Sequence, residues 1–163
     1  MTTSDFIIRE IEQKDNLQLA KLIREVLVEL GVPKVGTAYE DVALDMMYET
    51  YDQPRKRYYV VENKGKIVGG AGIAQLEGES EKICELQKMY FLPEARGKGI
   101  GSKIMKMCLE FAKDQGFSKC YLETMPYMKA ARKLYKRTGF EPLNDPMGNT
   151  GHYSCQSWMI KEL

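Results

Sequence analysis

The segment EARGKGIGSK, residues 94–103, decides the fold expected for this chain, because it places three glycines at alternate positions. Each glycine costs about 1 kcal/mol wherever an alanine could continue a helix. Arg96 precedes the first glycine and Lys98 lies between the first two. Apolar residues then follow at helical spacing: Ile100, Ile104, Met107, Cys108 and Phe111. The segment predicts a loop that lets another group approach its backbone closely, directly before an amphipathic helix.

This loop has the features of an anion-binding site. A strand closed by Pro93 precedes it, so its free N–H groups lie at a helix start, where the macrodipole favours negative charge. Arg96 and Lys98 add positive charge, and a pyrophosphate is the natural occupant. The spacing fits neither a P-loop nor the dinucleotide fingerprint, which would need glycine in place of Ser102. The alternative is a tight turn with Arg96 solvated.

The overall composition is that of an ordinary globular domain. The 163 residues are 44% hydrophobic and 29% charged, with a formal net charge of +1, which gives no general attraction to nucleic acid or to an anionic membrane. No stretch resembles a signal peptide or a membrane span. The four cysteines match no zinc pattern and are expected to be reduced and buried. We therefore expect one cytoplasmic domain over residues 1–163 and no metal.

The order of the predicted elements indicates an α+β domain with a mixed sheet. Three helices are predicted: one between Asp15 and Gly31, one from Ile100 to Gly116 and one over 126–138. Asp15 and Gln18 are expected to form a capping box at the start of the first. A further short helix over 41–50 is less clearly indicated. Strands are predicted over 6–11, 57–63, 66–77, 81–92, 119–124 and 151–160.

Two blocks of this sequence resemble the GNAT superfamily of N-acetyltransferases. Arg96-x-x-Gly99-x-Gly101 is similar to the pyrophosphate loop of that superfamily, Q/R-x-x-G-x-G/A. The segment AARKLYKRTGF, residues 130–140, is similar to its A-x-x-L-Y-x-K-x-G-F block. The strongest resemblance covers residues 81–142, and the tail GNTGHYSCQSW is similar to that of a little-characterised bacterial subset.

The resemblance implies acetyl-CoA as the acetyl donor and a mostly antiparallel sheet that splays between the strands at 81–92 and 119–124. The pyrophosphate would bind the amides of residues 97–102, and the pantetheine arm would pair with the strand near Met89, Tyr90 and Phe91. One departure is Met128, which stands where the superfamily often has asparagine, three residues before Ala131. The implied cofactor-binding residues are Met89, Tyr90, Phe91, Arg96, Gly97, Lys98, Gly99, Ile100, Gly101, Ser102, Met128 and Ala131.

The transfer needs an acid for the leaving thiolate and a base for the amine. The resemblance places Tyr135 at the general acid, and a phenol of ordinary pKa about 10 stays protonated at neutral pH; the alternative is a core aromatic. Glu85 is the preferred base, because it lies six residues before Phe91, where the resemblance implies a glutamate that takes the amine's proton through water in some members. Burial in a cleft would raise the pKa of its carboxyl toward neutrality. Two alternatives for the base are Glu123 and a chain of water molecules. In a third alternative, Glu85 faces solvent or pairs with a lysine and has no catalytic role. His152 receives no role.

The acceptor is expected to be a small-molecule or peptide amine. The tyrosines and acids of residues 31–57 are candidates for lining the cleft that binds it. Two other functions stay open: a non-catalytic acyl-CoA sensor, and a protein that binds ATP or NAD. Exposed sheet edges could pair two subunits as a homodimer.

Overall fold

The computed structural model describes residues 5–126 and 128–163, and these form one mixed sheet of seven strands with four α-helices. The strands are β1 (Phe6–Glu10), β2 (Arg57–Asn63), β3 (Lys66–Gln75), β4 (Ile83–Phe91), β5 (Lys119–Thr124), β6 (Glu141–Leu143) and β7 (Ser157–Glu162). The helices are α1 (Asn16–Glu29), α2 (Met47–Tyr51), α3 (Ile100–Asp114) and α4 (Lys129–Thr138). The predicted α+β class is confirmed.

The sheet runs in the order β1-β2-β3-β4-β5-β7-β6, and every neighbouring pair is antiparallel except β4 and β5. Apolar residues of α1 and α2 cover one face of the sheet, and those of α3 cover the other. The two apolar clusters include Leu19 and Ile23 on the first side and Ile104 and Cys108 on the second, all fully buried. A helical repeat of apolar residues thus fixes α1 and α3 on opposite faces.

The parallel pair opens after three residues. Ile83, Cys84 and Glu85 pair with β5, whereas β4 continues to Phe91 without a β5 partner in the described chain. The predicted splay is therefore confirmed. It leaves backbone groups of the second half of β4 facing a gap between the strands.

A β-bulge lies in this second half of β4. Gly70 of β3 pairs with Tyr90 and Gly72 pairs with Gln87, so two residues of β4 oppose one of β3. Lys88, one of these two, has a φ of 51°. The Tyr58 hydroxyl donates to the Lys88 carbonyl at 2.6 Å, which holds the bulge in place.

The glycines of β3 make room for that tyrosine. A Cβ at Gly70 or at Gly72 would lie 2.5 Å from the Tyr58 ring, closer than any tolerable contact. The run of glycines in a strand is consequently a packing requirement: it lets the Tyr58 ring lie on the sheet and its hydroxyl reach Lys88.

Some predicted boundaries were wrong. The segment predicted as one helix over 41–50 is a 3₁₀ turn, Val42–Met46, followed by the short α2. The last strand begins at Ser157, because residues 151–156 form a loop, and β6 was not predicted. The capping box before α1 joins Glu12 to Asp15, whereas Gln18 accepts a hydrogen bond from the Ile67 amide. Helix α4 begins three residues after Pro126.

Candidate active site

Gly97 and Gly99 give the loop before α3 its shape. Their φ angles are 73° and 77°, a region that residues with a side chain rarely adopt, and a Cβ at either position would meet no atom within 4 Å. The space in front of both is therefore open. In this fully described segment, the N–H groups of residues 97–102 have no backbone acceptor, while Lys103 N–H donates to Gly99 at 3.3 Å. The loop presents free donors at a helix start.

Gly101 serves a different purpose. A Cβ there would lie 3.1 Å from Leu134 Cδ2 of α4, so the missing side chain lets α3 and α4 approach each other. Ile100 is buried in the core and anchors the first turn, whereas Ser102 is exposed.

The side chain of Arg96 is committed to protein partners. Its two terminal nitrogens pair with the Glu29 carboxylate, both at 2.8 Å, and Nε donates to the Phe91 carbonyl at 3.0 Å. These bonds tie the loop to the end of α1 and to the end of β4. Within the described residues Lys98 has no ion-pair partner, so Lys98 and the backbone amides are the groups left for an anion.

A narrow pocket lies where β4 and β5 separate. Five of the residues predicted from the sequence line it together: Glu85, Met89, Tyr90, Met128 and Tyr135. Phe91 and Ala131 instead pack against the core on the α3 side. Met128 caps α4, and the Thr124 hydroxyl donates to its sulfur at 3.5 Å.

Glu85 is a buried carboxyl, 7% exposed, on the part of β4 where pairing with β5 ends. The Gln87 amide donates to it at 2.7 Å, and the Tyr51 hydroxyl holds Gln87 in turn at 2.5 Å. Burial raises the pKa of Glu85 to about 7, the net result after the hydrogen bond from Gln87 lowers it and the nearby charge of Glu123 raises it. Its carboxyl therefore changes charge near neutral pH.

Tyr135 of α4 is buried against Phe140, with ring centroids 6.1 Å apart. Burial raises the pKa of its phenol to about 12, so the phenol keeps its proton at neutral pH. Its hydroxyl has no hydrogen-bond partner among the described residues and remains available as a donor within the pocket.

Three residues to which the sequence assigned no catalytic role meet Glu85 at this site. His152 Nε2 lies 2.9 and 3.1 Å from the two Asp41 oxygens, and Lys88 Nζ lies 3.3 Å from Asp41 Oδ2. Burial by itself would lower the pKa of His152, but the hydrogen bond with Asp41 and the charges of Asp41 and Glu85 together outweigh it and raise that pKa. Burial by itself would raise the pKa of Asp41, but the same bond and Lys88 lower it.

Glu123 lies on the other side of the histidine. Its carboxylate accepts hydrogen bonds from the Thr150 hydroxyl at 2.6 Å and the Tyr121 hydroxyl at 2.7 Å, and one of its oxygens lies 3.7 Å from His152 Nδ1. Cys155 also lines the narrow pocket. Burial raises the pKa of its thiol to about 12, with the charge of Glu123 acting in the same direction.

A wider cleft of about 620 Å³ opens beside the narrow pocket. Four residues line both cavities: Glu85, Gln87, Lys88 and His152. Asp41, Tyr51 and Lys56 are among the other residues of the wider cleft. Glu85 therefore stands at the junction between the two cavities.

A glycine loop at a helix start, next to a sheet that opens between two parallel strands, is the arrangement that the sequence resemblance implied. A model of the acetyltransferase (GNAT) family matches residues 23–140, and the chain belongs to that family. Within the described residues, no helix is both long and apolar enough to span a membrane.

Relatives and solved structures agree with this family. The chain is 45% identical over 158 residues to the uncharacterized N-acetyltransferase YjgM of Escherichia coli, covering 96% of this chain and 95% of that protein. It is 32% identical over 152 residues to the thialysine N-epsilon-acetyltransferase of Bos taurus, covering 87% and 88%.

Among solved structures, a GNAT-family acetyltransferase of Staphylococcus aureus superposes with a TM-score of 0.85 at 19% identity, covering 96% of this chain and 98% of that one. The structure of yncA from Salmonella typhimurium, solved with its cofactor acetyl-CoA, gives a TM-score of 0.74 at 18% identity over 97% and 94%. These likenesses concern the fold.

Proposed function

We propose that this protein transfers an acetyl group from acetyl-CoA to a primary amine by direct attack in a ternary complex. The observation that carries the proposal is the position of Glu85. A carboxyl with a pKa of about 7 lies at the junction of two cavities, one of which also contains the protonated phenol of Tyr135. Paired acid and base groups whose pKa values are shifted apart are typical of proton-transfer sites.

The donor would bind with its pyrophosphate on the loop before α3. The free N–H groups of residues 97–102 and the positive end of the helix dipole suit a phosphate, and Lys98 adds a mobile charge. Arg96 would act indirectly, because its bonds to Glu29 and Phe91 hold the loop in shape. Acetyl-CoA would supply the thioester. The unpaired edge of β4 near Met89 to Phe91 would position its pantetheine arm, with a backbone N–H there facing the carbonyl oxygen.

The residues of the junction would move the protons. Glu85, in its charged form, takes the proton of the incoming ammonium, which frees the nitrogen lone pair for attack on the carbonyl carbon. Tyr135 donates its proton to the sulfur as the carbon–sulfur bond breaks. The second proton lost by the nitrogen passes to Tyr135 and restores its phenol. The first proton, held by Glu85, is released to solvent, so one proton is released for each amide formed.

The amine would enter through the wider cleft. Its walls carry the carboxylates of Asp41, Glu77 and Glu85 beside the ammonium groups of Lys56 and Lys88. Because Asp41 is already paired with Lys88 and His152, Glu85 in its charged form is the junction carboxylate that would hold the cationic amine. Tyr51 supplies an aromatic surface. The likeness to a thialysine N-epsilon-acetyltransferase supports a primary amine at the end of a flexible chain, on a small molecule or a peptide. The free edges of β1 and β6 could pair two copies of the chain.

Thermal shifts with acetyl-CoA, CoA, ATP and NAD test the donor site, and a matched pair of variants locates it. Gly99 and Gly116 flank α3, both have positive φ, and a Cβ at either would meet open space. Gly99→Val and Gly116→Val should therefore both destabilise the fold through strain. A ligand at one hundred times its dissociation constant stabilises by about 2.7 kcal/mol.

We expect acetyl-CoA and CoA to raise the melting temperature of the wild type and of Gly116→Val. Neither ligand should raise the melting temperature of Gly99→Val. Stabilisation by ATP or NAD alone would contradict the proposal. Binding of acetyl-CoA without turnover of any amine in a broad screen would instead support a sensor.

A further inference from the structure

Three groups able to ligate a metal lie together in the narrow pocket, and one of them, His152, stands at its junction with the wider cleft. One oxygen of Glu123, a ring nitrogen of His152 and the sulfur of Cys155 all lie within 4.8 Å of one another. The three residues come from β5 and from the loop before β7. Carboxylate, imidazole and thiolate are the ligands found in three-residue zinc sites that keep a fourth position open.

The distances are close to those a metal needs. Bonds of about 2.0 to 2.3 Å around a tetrahedral zinc ion place neighbouring ligand atoms roughly 3.5 Å apart. Glu123 Oε1 and His152 Nδ1 are 3.7 Å apart, which is nearly that spacing. The sulfur of Cys155 lies within 4.8 Å of both, so it would need to close by at most about 1.3 Å.

The residues behind the ligands are arranged as in metal sites. A ligating histidine usually donates its other ring N–H to a carboxylate, and His152 Nε2 lies 2.9 Å from Asp41 Oδ2. A ligating carboxylate is usually itself hydrogen-bonded, and Glu123 accepts from Thr150 and Tyr121 at 2.6 and 2.7 Å. Two of the three ligands are therefore already oriented toward a common point.

We propose that Glu123, His152 and Cys155 form a site for a divalent metal ion of borderline softness, such as Zn²⁺ or Co²⁺. The thiol loses its proton to solvent as the metal–sulfur bond forms, and the Nδ1 lone pair and one Glu123 oxygen complete the protein ligands. Thiolate and imidazole select these ions over Mg²⁺ and Ca²⁺. Because His152 lines both cavities, a bound ion would compete with the amine for this space.

Cobalt absorption tests the site directly, on the full chain in a non-thiol reductant. Titration with Co²⁺ should give one equivalent of tetrahedral visible bands together with a thiolate charge-transfer band, and Zn²⁺ should displace both. Cys155→Ser should lose the charge-transfer band, since Cys84, Cys108 and Cys120 are fully buried. Asp41→Asn should weaken binding about tenfold or more, the usual effect of removing a residue that orients a ligand.

Tyr153→Ala is the matched control, because Tyr153 lies on the same loop, is 73% exposed and brings no ligand to the cluster. It should bind Co²⁺ as the wild type does. Wild-type protein without a charge-transfer band in excess Co²⁺ would overturn the proposal, whatever the variants do. So would a band that persists in folded Cys155→Ser. The readout is independent of acetyl transfer, so the site can fail or stand without affecting the proposed function.

Discussion

Replacing Glu85 by glutamine should stabilise the protein, and more so at high pH. The pKa of this buried carboxyl rises from 4.5 to about 7 on folding. Each unit of such a difference corresponds to about 1.4 kcal/mol, so the charged carboxylate costs the folded state about 3 kcal/mol above pH 8. The folded state binds the proton more tightly than the unfolded chain, and stability must therefore fall as pH rises between the two pKa values.

The same linkage fixes the size of the effect at each pH. At about pH 5.5 the cost is about 1.4 kcal/mol, because about nine-tenths of the unfolded-state carboxyl is already charged while the folded one remains protonated; at about pH 8.5 it reaches about 3.4 kcal/mol. Glutamine keeps the shape of the side chain and an oxygen that can accept the Gln87 bond. Glu85→Gln should thus gain about 2 kcal/mol more at the higher pH.

Urea unfolding of the wild type and Glu85→Gln at both pH values measures this difference. Glu110→Gln is the control, because Glu110 is exposed on α3 and should change stability by less than about 0.5 kcal/mol at either pH. We expect kcat/KM of the wild type to rise with pH with an apparent pKa of about 7, and the Glu85 variant to lose this rise. An equal effect of Glu85→Gln at both pH values would refute the raised pKa and, with it, the role of Glu85 as base.

Two further predictions concern other groups of the junction. Tyr135→Phe should lower kcat about a hundredfold or more, as loss of a general acid does, while acetyl-CoA still binds. The control Tyr153→Phe changes an exposed tyrosine and should leave kcat unchanged. Equal kcat values in the two variants would exclude an acid role for Tyr135. Asp41→Asn should lower the pKa of His152, since the bond to Asp41 raises it. Titration of the ring resonances by NMR measures this unambiguously in a chain with one histidine, and an unchanged pKa would contradict the contact.

The glycine loop could be predicted from the sequence because its determinants are contiguous. Two glycines with positive φ and a third at a helix contact fall within five residues, and the helix that follows has a clear apolar repeat. The splay was predicted only through the family resemblance. Local pattern alone could not predict the bulge at Lys88, since it depends on Tyr58, thirty residues earlier, lying across the glycines of β3.

The sequence predicted only that acids and tyrosines of residues 31–57 serve the acceptor; the contact of Asp41 with His152 could not be predicted, for a physical reason. Asp41 and His152 are 111 positions apart and meet only because the loop before β7 folds back over the turn that precedes α2. A lone histidine has no periodicity and no partner at fixed spacing, so its sequence context favours a structural role. The tail GNTGHYSCQSW was the available signal on the histidine side, because it supplies Thr150, His152 and Cys155 together, and each of these makes or approaches a contact with Glu123. Short-range pattern therefore determines where the donor would bind, whereas long-range packing determines which groups surround the amine.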